Sequence, residues 1–215
     1  MQPFLMDYEL YSSKILSWNL HCRPPFVYQN KNRKEIVNHV CQVITREDPL
    51  LICLQDVGRY DYNQIHNAFR QSYGFHSVRN SIGEIEDPDS CTTVIMFKKE
   101  LVSHTEGKHY MFHSLRLTEY LHLFQVKVKG NVIVVMTAQL EKRKSNSKER
   151  QQQLEQIFQM MSKCPLSTTA IFAGSLHITD FELKNAMRQF DKNVTELWKH
   201  LHLKSSINDQ LSVKN

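Results

Sequence analysis

The sequence has no long apolar run. Its longest uninterrupted apolar stretches, at 50–54 and 132–136, are five residues each, whereas a helix that crosses a bilayer needs about 20. The amino terminus has no basic segment followed by an apolar one, and Asp7 and Glu9 are acidic, so we expect no secretory signal. These absences predict an intracellular protein without a membrane segment.

Cysteine is sparse, and no two cysteines form a C-x-x-C pair. There are five of them, an odd number, at widely separated positions: Cys22, Cys41, Cys53, Cys91 and Cys164. This pattern argues against a disulfide framework or a structural zinc site and predicts reduced thiols, mostly in the core. Two histidine pairs, His109 with His113 and His200 with His202, have spacings seen at metal sites. They lack a nearby Cys, Asp or Glu companion, so we expect surface histidines.

The composition is that of a folded domain with a mild positive charge. The 215 residues include 41% hydrophobic and 10% aromatic residues, and 27 Lys and Arg against 22 Asp and Glu give a net charge of +5. That charge suits an anionic partner but is also common among ordinary basic domains. We find no repeat, low-complexity tract or linker, and expect one domain over 14–203, with an extension at 1–13 and a polar tail at 204–215.

Hydrophobic periodicity predicts strands and helices in alternation, followed by a region rich in strands. Strands are predicted at 14–18, 50–54, 92–97, 121–128, 132–137 and 168–173. Helices are predicted from apolar stripes at 36–44, 65–72, 148–161, 180–190 and 193–201. We expect Ile36 on the buried face of the first helix, Gly74 as the cap of the second, and a hairpin turn at 129–131.

Polar residues follow the ends of four predicted strands. They read Ser-Trp-Asn at 17–19, Leu-Gln-Asp-Val at 54–57, Met-Thr-Ala-Gln-Leu-Glu at 136–141 and Ile-Phe-Ala-Gly-Ser-Leu-His at 171–177. Their order resembles the endonuclease/exonuclease/phosphatase superfamily. The resemblance implies an α/β fold with a two-sheet sandwich flanked by helices, here lacking the C-terminal strands, and a metal site at the strand ends.

Within that superfamily the sequence resembles the tyrosyl-DNA phosphodiesterase 2 family. The likeness lies in Val-Ile-Met-Phe-Lys-Lys at 94–99 and in Leu140-Glu141, followed by Glu149-Arg150 and Gln153-Leu154. Such enzymes cleave the phosphotyrosyl bond between a topoisomerase and a DNA 5′ end with Mg²⁺. The resemblance therefore implies DNA repair, a DNA end as partner, Mg²⁺ as cofactor, and a nuclear or nucleocytoplasmic location.

The residues at the family's site positions depart from its pattern. Asn19 keeps the family asparagine, whereas Asp56 stands where the metal-binding glutamate is expected and is shorter by roughly 1.5 Å. Gln139 replaces a histidine, Ser175 an aspartate and His177 an asparagine. An amide carries no positive charge, and a serine hydroxyl without a base activates water poorly.

These replacements predict a vestigial site. The sequence also stops short of the family's serine-aspartate-histidine motif, and losing one such group typically slows catalysis by about 10²–10⁴-fold. We therefore predict a catalytically inactive pseudo-enzyme that acts in binding or as a scaffold. We expect no tightly bound cofactor, and weak binding of Mg²⁺ at Asp56.

Two alternative functions and one expectation about partners stay open. A weak Mg²⁺-dependent phosphodiesterase or nuclease would use Asn19, Asp56 and His177, with Ser175 and His177 as a new nucleophile and base. A nucleic-acid-binding module would use the basic run of Lys142, Arg143 and Lys144, although such runs are usually solvated. An unpaired sheet edge would favour a protein partner or self-association.

Overall fold

Within the residues that the computed structural model describes, at 4–6, 13–22, 31–77, 91–112 and 120–189, the chain forms nine strands and four helices. The strands are β1 (Phe4–Met6), β2 (Ser13–Asn19), β3 (Leu51–Val57), β4 (Tyr73–Ser77), β5 (Thr92–Lys98), β6 (His104–Met111), β7 (Tyr120–Val128), β8 (Asn131–Thr137) and β9 (Thr168–Phe172). The helices are α1 (Lys31–Glu47), α2 (Arg59–Phe69), α3 (Ser147–Ser162) and α4 (Asp180–Gln189), with a 3₁₀ turn (Lys144–Asn146) before α3.

The strands form two mixed sheets. One has the order β1-β2-β3-β5-β4 and the other β6-β7-β8-β9. Strands β2 and β3 are parallel, as are β8 and β9, whereas the other neighbouring pairs are antiparallel. The two-sheet sandwich that the sequence predicts is therefore present. In each sheet, the two strands of the parallel pair have their carboxyl ends at the same edge.

Strand β3 is buried on both faces, which explains its uninterrupted apolar start. Ile52 and Leu54 pack with α1 and α2, whereas Leu51 and Cys53 pack with residues of the second sheet, among them Phe124. Successive side chains of a strand point to opposite faces. One strand therefore contributes to the helix layer and to the core between the sheets.

Two details of the helices differ from the sequence prediction. Ile36 is 44% exposed, and the buried face of α1 is formed by Val37, Val40 and Ile44 instead. Helix α2 ends at Phe69, so Gly74 is not its cap but part of β4. The reason lies across the sheet, because a Cβ at Gly74 would come within 2.1 Å of the Phe97 ring.

The second sheet has its own helix layer. Leu154 and Ile157 of α3 and Ala186 of α4 pack with Met136 of β8 and with Leu140. Strands β1, β4 and β6 are not predicted from the sequence, and the helix predicted at 193–201 lies outside the described residues. Within the described ranges, no helix combines the length and apolarity that crossing a bilayer requires.

The five cysteines are all free thiols, as expected from their spacing. Cys22 and Cys53 are buried, whereas Cys41, Cys91 and Cys164 are only partly buried. The prediction of mostly core thiols therefore holds in full for two of them. Cys41, in the middle of α1, and Cys164, just after α3, pack against the cores as partly buried residues, and Cys91 directly precedes β5.

Candidate functional site

The carboxyl ends of the parallel strands meet where the two sheets face each other. After β8 and β9 the two segments continue side by side, with Gln139 and Ser175 paired in an isolated parallel bridge. The Leu140 amide donates to the Ser175 carbonyl at 2.9 Å, and the Ser175 amide to the Ala138 carbonyl at 3.0 Å. This extension carries Gln139 and Ser175 beyond the sheet towards the end of β2.

Four of the predicted site residues form a connected set of side chains. Asn19 Nδ2 donates to Gln139 Oε1 at 3.5 Å, and Gln139 Nε2 lies 3.5 Å from His177 Nε2. Ser175 Oγ lies 3.0 Å from the same His177 nitrogen. Asn19 comes from the first sheet and the others follow the second, so the set bridges the sandwich.

Asp56, the fifth predicted residue, forms an ion pair with Lys142. The Lys142 Nζ lies 3.0 Å from Asp56 Oδ1 and 2.8 Å from Oδ2, so one ammonium group contacts both carboxylate oxygens. Asp56 is 8% exposed and has a φ of +53°. The pairing of β3 with β5 shifts register between Leu54 and Val57, and this irregularity turns the carboxylate out of the strand.

Hydrogen bonds and a buried ion pair fix the position of the segment after β2. The His21 amide donates to Asn19 Oδ1 at 2.7 Å, which orients the Asn19 side chain. Arg33 donates to the Leu20 carbonyl at 2.7 Å and forms a buried ion pair with Asp61, whose Oδ1 lies 2.8 Å from Arg33 Nε. A guanidinium that binds both a carbonyl and a carboxylate fixes this turn relative to α1 and α2.

Gln55 links the two sheets beneath the site. Its amide nitrogen lies 3.1 Å from Thr137 Oγ1, 3.0 Å from the Cys53 carbonyl and 3.3 Å from the Ala173 carbonyl. Gln55 is 1% exposed, so its donors are satisfied by protein and not by water. The strand ends of β3, β8 and β9 therefore keep a fixed spacing at this point.

A second network holds the segments that carry Lys142 and His177. Arg150 donates to the Arg143 carbonyl at 2.6 Å and to Glu182 Oε1 at 2.8 Å. Glu182 Oε2 accepts from the Thr179 amide at 2.7 Å, and its other oxygen from the Ser147 hydroxyl. Burial by itself would raise the pKa of Glu182, but these hydrogen bonds lower it to about 2.

The electrostatics around His177 favour its neutral form. Partial desolvation and the nearby Lys142 ammonium lower the pKa of His177, against the opposing effect of Asp56. His177 has a φ of +50°, and this left-handed turn is what brings its ring back to Ser175, two residues earlier. A neutral imidazole at this position is able to accept the Ser175 hydroxyl hydrogen.

The basic run predicted at 142–144 is divided between different environments. Lys142 is half exposed and binds Asp56, whereas Arg143 is exposed and its amide donates to Glu141 Oε1 at 2.8 Å. Lys144 begins the 3₁₀ turn. Sequence reasoning missed the role of Lys142, because nothing in a run of charges indicates which member folds back onto a carboxylate.

The side-chain oxygens that could hold a Mg²⁺ ion already contact protein groups. Both oxygens of Asp56 are bound by the Lys142 ammonium, and Asn19 Oδ1 accepts the His21 amide. Mg²⁺ requires oxygen ligands in near-octahedral geometry at about 2.0–2.1 Å. In this arrangement the Asp56 carboxylate contacts the Lys142 ammonium, in the place where it would otherwise contact a metal ion.

Comparisons with known proteins show what the chain is similar to. No family model matches the chain. Tyrosyl-DNA phosphodiesterase 2 from Homo sapiens is 28% identical over 172 residues, which cover 79% of this chain and 44% of that protein. The chain thus spans less than half the length of this curated relative.

Solved structures resemble the chain across most of its length. The D. rerio TDP2 structure complexed with single-strand DNA product has a TM-score of 0.74 and 25% identity, covering 89% of this chain and 70% of that one. The human Nocturnin catalytic domain has a TM-score of 0.58 at 13% identity, covering 82% and 68%, and indicates the fold alone. The chain therefore has an endonuclease/exonuclease/phosphatase-like fold, as the strand-end residues predict. Within that class it is similar to tyrosyl-DNA phosphodiesterase 2 in both sequence and structure.

Proposed function

We propose that this chain is a tyrosyl-DNA phosphodiesterase 2-like protein that binds nucleic-acid ends without hydrolysing them efficiently. The observation that carries the proposal is the contact of the Lys142 ammonium with both oxygens of Asp56. The D. rerio relative whose structure contains a single-strand DNA product supports a DNA end as the ligand.

The chemistry of the site favours binding over turnover. Hydrolysis of a phosphodiester needs a cation that neutralises the phosphate and a positioned, deprotonated water. Here the carboxylate that would hold the metal is neutralised by Lys142, and Gln139 offers an uncharged amide. The Lys142 side chain is 48% exposed and therefore remains accessible to a phosphate. His21 and His177 are exposed residues as well.

Binding of a 5′-phosphotyrosyl oligonucleotide in the absence of divalent metal tests the proposal. Fluorescence anisotropy would compare the wild type with Lys142→Met and with Lys163→Met, a matched control at the far end of α3. We expect Lys142→Met to weaken binding several-fold and Lys163→Met to leave it unchanged. Asp56→Asn should strengthen binding, because it releases the ammonium from its carboxylate. Equal affinity in all four proteins would disprove this binding role.

A weak phosphodiesterase or nuclease that depends on Mg²⁺ is the second candidate. It is favoured by the 3.0 Å contact of Ser175 Oγ with His177 Nε2 and by the retained Asn19. In this case Mg²⁺ would displace Lys142 and bind weakly at Asp56. Turnover that requires Mg²⁺ and disappears in Ser175→Ala would establish this enzyme, and absence of turnover would leave the binding role.

A partner protein or a second copy of the chain is a further candidate for the edge of the second sheet. Within the described residues, β9 pairs only with β8, and an open strand edge favours pairing with another chain. Sedimentation at increasing concentration would detect self-association. A role at DNA ends predicts a nuclear or nucleocytoplasmic location, which imaging of a tagged protein would test.

A further inference from the structure

Three histidines from three strands meet at one flank of the sandwich. They are His76 of β4, His109 of β6 and His122 of β7. One ring nitrogen of each lies within 4.8 Å of the corresponding atoms of the other two. The His76 and His109 rings are stacked with centroids 4.6 Å apart, and the His122 ring meets His109 edge-on at 4.8 Å.

The backbone brings these rings together by two separate means. His109 and His122 are direct partners in the register of β6 and β7, so their side chains share one face of the second sheet. His76 comes from the edge strand of the first sheet and lies over Gly107, where a Cβ would be 2.1 Å from its ring. The Phe124 ring stacks on His76 at 4.9 Å, so the cluster joins the edges of both sheets.

The cluster contains buried polar atoms without a hydrogen-bond partner in the part of the chain that the structure describes. His122 is 2% exposed, and its Nδ1 has no hydrogen-bond partner among the described residues. Nε2 of His76 is likewise buried without a partner in the described part of the chain. Such orphaned polar atoms are rare in folded proteins, because each loses its bonds to water without gaining another.

Neutral imidazole is the form that binds a metal ion, and burial favours that form at two of the three rings. Burial lowers the pKa of His76 to about 4, and burial together with the neighbouring His109 and His76 lowers that of His122 to about 3. Both imidazoles are therefore neutral at pH 7 and keep a nitrogen lone pair.

We propose that His76, His109 and His122 bind a divalent transition-metal ion, Zn²⁺, which joins the edges of the two sheets. Three imidazoles leave the fourth tetrahedral position to a water molecule or another small ligand. Nitrogens at about 2.0–2.1 Å from one Zn²⁺ ion lie roughly 3.3 Å apart. The present limit of 4.8 Å would have to shrink by up to about 1.5 Å, and metal binding therefore requires the partly buried His76 and His109 rings to rotate.

The ligand chemistry separates this site from the one at Asp56. Imidazole nitrogens suit Zn²⁺ and its first-row neighbours, whereas Mg²⁺ prefers oxygen. The His122 backbone pairs with Thr137 of β8, so the histidine cluster lies at the same end of the second sheet as Gln139. A metal ion there would stiffen the flank of the candidate binding site without taking part in it.

Metal binding by the purified chain tests the proposal. The protein, stripped with a chelator, would be dialysed against Zn²⁺ and its metal content measured, and Co²⁺ would be added as a spectroscopic probe. We expect one equivalent of Zn²⁺ and the visible absorption bands of four-coordinate Co²⁺. A 100-fold excess of Mg²⁺ should not reduce the bound Zn²⁺.

The variants are chosen so that loss of binding is not confused with loss of folding. His122→Leu removes a ligand and also a buried atom without a partner, so the chelated variant should stay folded with a Tm at or above that of the chelated wild type. It should bind Zn²⁺ at least about 10–100-fold more weakly, since loss of a ligand costs at least as much as loss of an outer-shell partner. His109→Gln should lose binding likewise, whereas the exposed control His39→Gln should keep it.

Thermal unfolding gives a second readout. Zn²⁺ should raise the Tm of the wild type and of His39→Gln, and should leave that of His122→Leu and His109→Gln unchanged. Failure of the wild type to retain Zn²⁺ would overturn the proposal. Unchanged binding in both ligand variants would overturn it as well.

Discussion

At the residue scale, the contact between Lys142 and Asp56 determines which group the carboxylate of the candidate site binds. The family resemblance places a metal-binding carboxylate at position 56, and the structure has that carboxylate bound by an ammonium group from the segment after β8. The sequence predicts that the residues at the strand ends lie close together, because the carboxyl ends of parallel strands meet at one edge of a sheet. The Asp56–Lys142 pairing does not follow, since it depends on how a segment 86 residues away turns back.

Arg33→Met should strongly destabilise the fold. Asp61 is fully buried and would be left as an uncompensated charge, so we expect the free energy of unfolding to fall by about 3–5 kcal/mol. Urea denaturation measures the change. Adding Asp61→Asn removes the orphaned charge and should recover part of the loss. A double variant less stable than Arg33→Met would contradict this account of the pair.

Glu182→Gln should change the pH dependence of stability. The pKa of Glu182 lies near 2 in the fold against an ordinary value of 4.5, so its ionised form stabilises the fold above pH 4.5. This contribution is lost as the pH falls towards 2. The free energy of unfolding of the wild type should therefore exceed that of the variant by about 3 kcal/mol at pH 7. The difference should be smaller at pH 3. Urea titrations at pH 7, 5 and 3 measure the difference, and a gap independent of pH would be inconsistent with the assigned pKa.

At the scale of elements, the sequence predicts the strands with continuous or alternating apolar residues. It misses β1, which has only three residues, and the more polar β4 and β6. Strands β3, β7 and β8 have continuous apolar residues or alternate apolar with polar ones, and these patterns predict strands. Strand β6 includes charged residues and a glycine, and β4 contains Gly74, which the sequence predicts to be a helix cap. Their pairing is determined by neighbours distant in the chain, such as Phe97 opposite Gly74, which periodicity within one segment does not reveal.

Gly74→Ala tests this explanation of β4. The added Cβ would overlap the Phe97 ring, and overpacking of this kind typically costs about 1–3 kcal/mol. We expect a lower Tm for Gly74→Ala and recovery in the double variant Gly74→Ala with Phe97→Leu, which makes room. Lack of recovery would mean that the cost comes from the backbone of β4 and not from the Phe97 ring.

At the scale of the whole molecule, two sheets from distant parts of the chain meet so that their strand ends form one site and their edges form the histidine cluster. The sequence indicates the sandwich through the order of its strand-end residues. It does not indicate the cluster, because His76 belongs to the first sheet and His109 and His122 to the second, and the three have no motif spacing. The net charge of +5 also acts at this scale, through its attraction for polyanions.

The affinity for a single-stranded oligonucleotide should therefore fall as salt rises. If two or three phosphates are neutralised, the slope of log K against log salt concentration should be about −1.4 to −2.1. Lys142→Met should make the slope shallower by about 0.7, and Lys163→Met should not change it. Anisotropy titrations between low and physiological salt give both slopes. An affinity independent of salt would refute an electrostatic binding surface.

The most direct test of the central claim is hydrolysis of a 5′-phosphotyrosyl oligonucleotide with Mg²⁺ and with Mn²⁺, comparing the wild type with Asp56→Ala. If Lys142 occupies the position of the metal ion, the wild type should show no turnover above that of the variant, while still binding the oligonucleotide. Turnover in the wild type that depends on the metal and is lost in Asp56→Ala would contradict the claim and make Asp56 a working metal ligand.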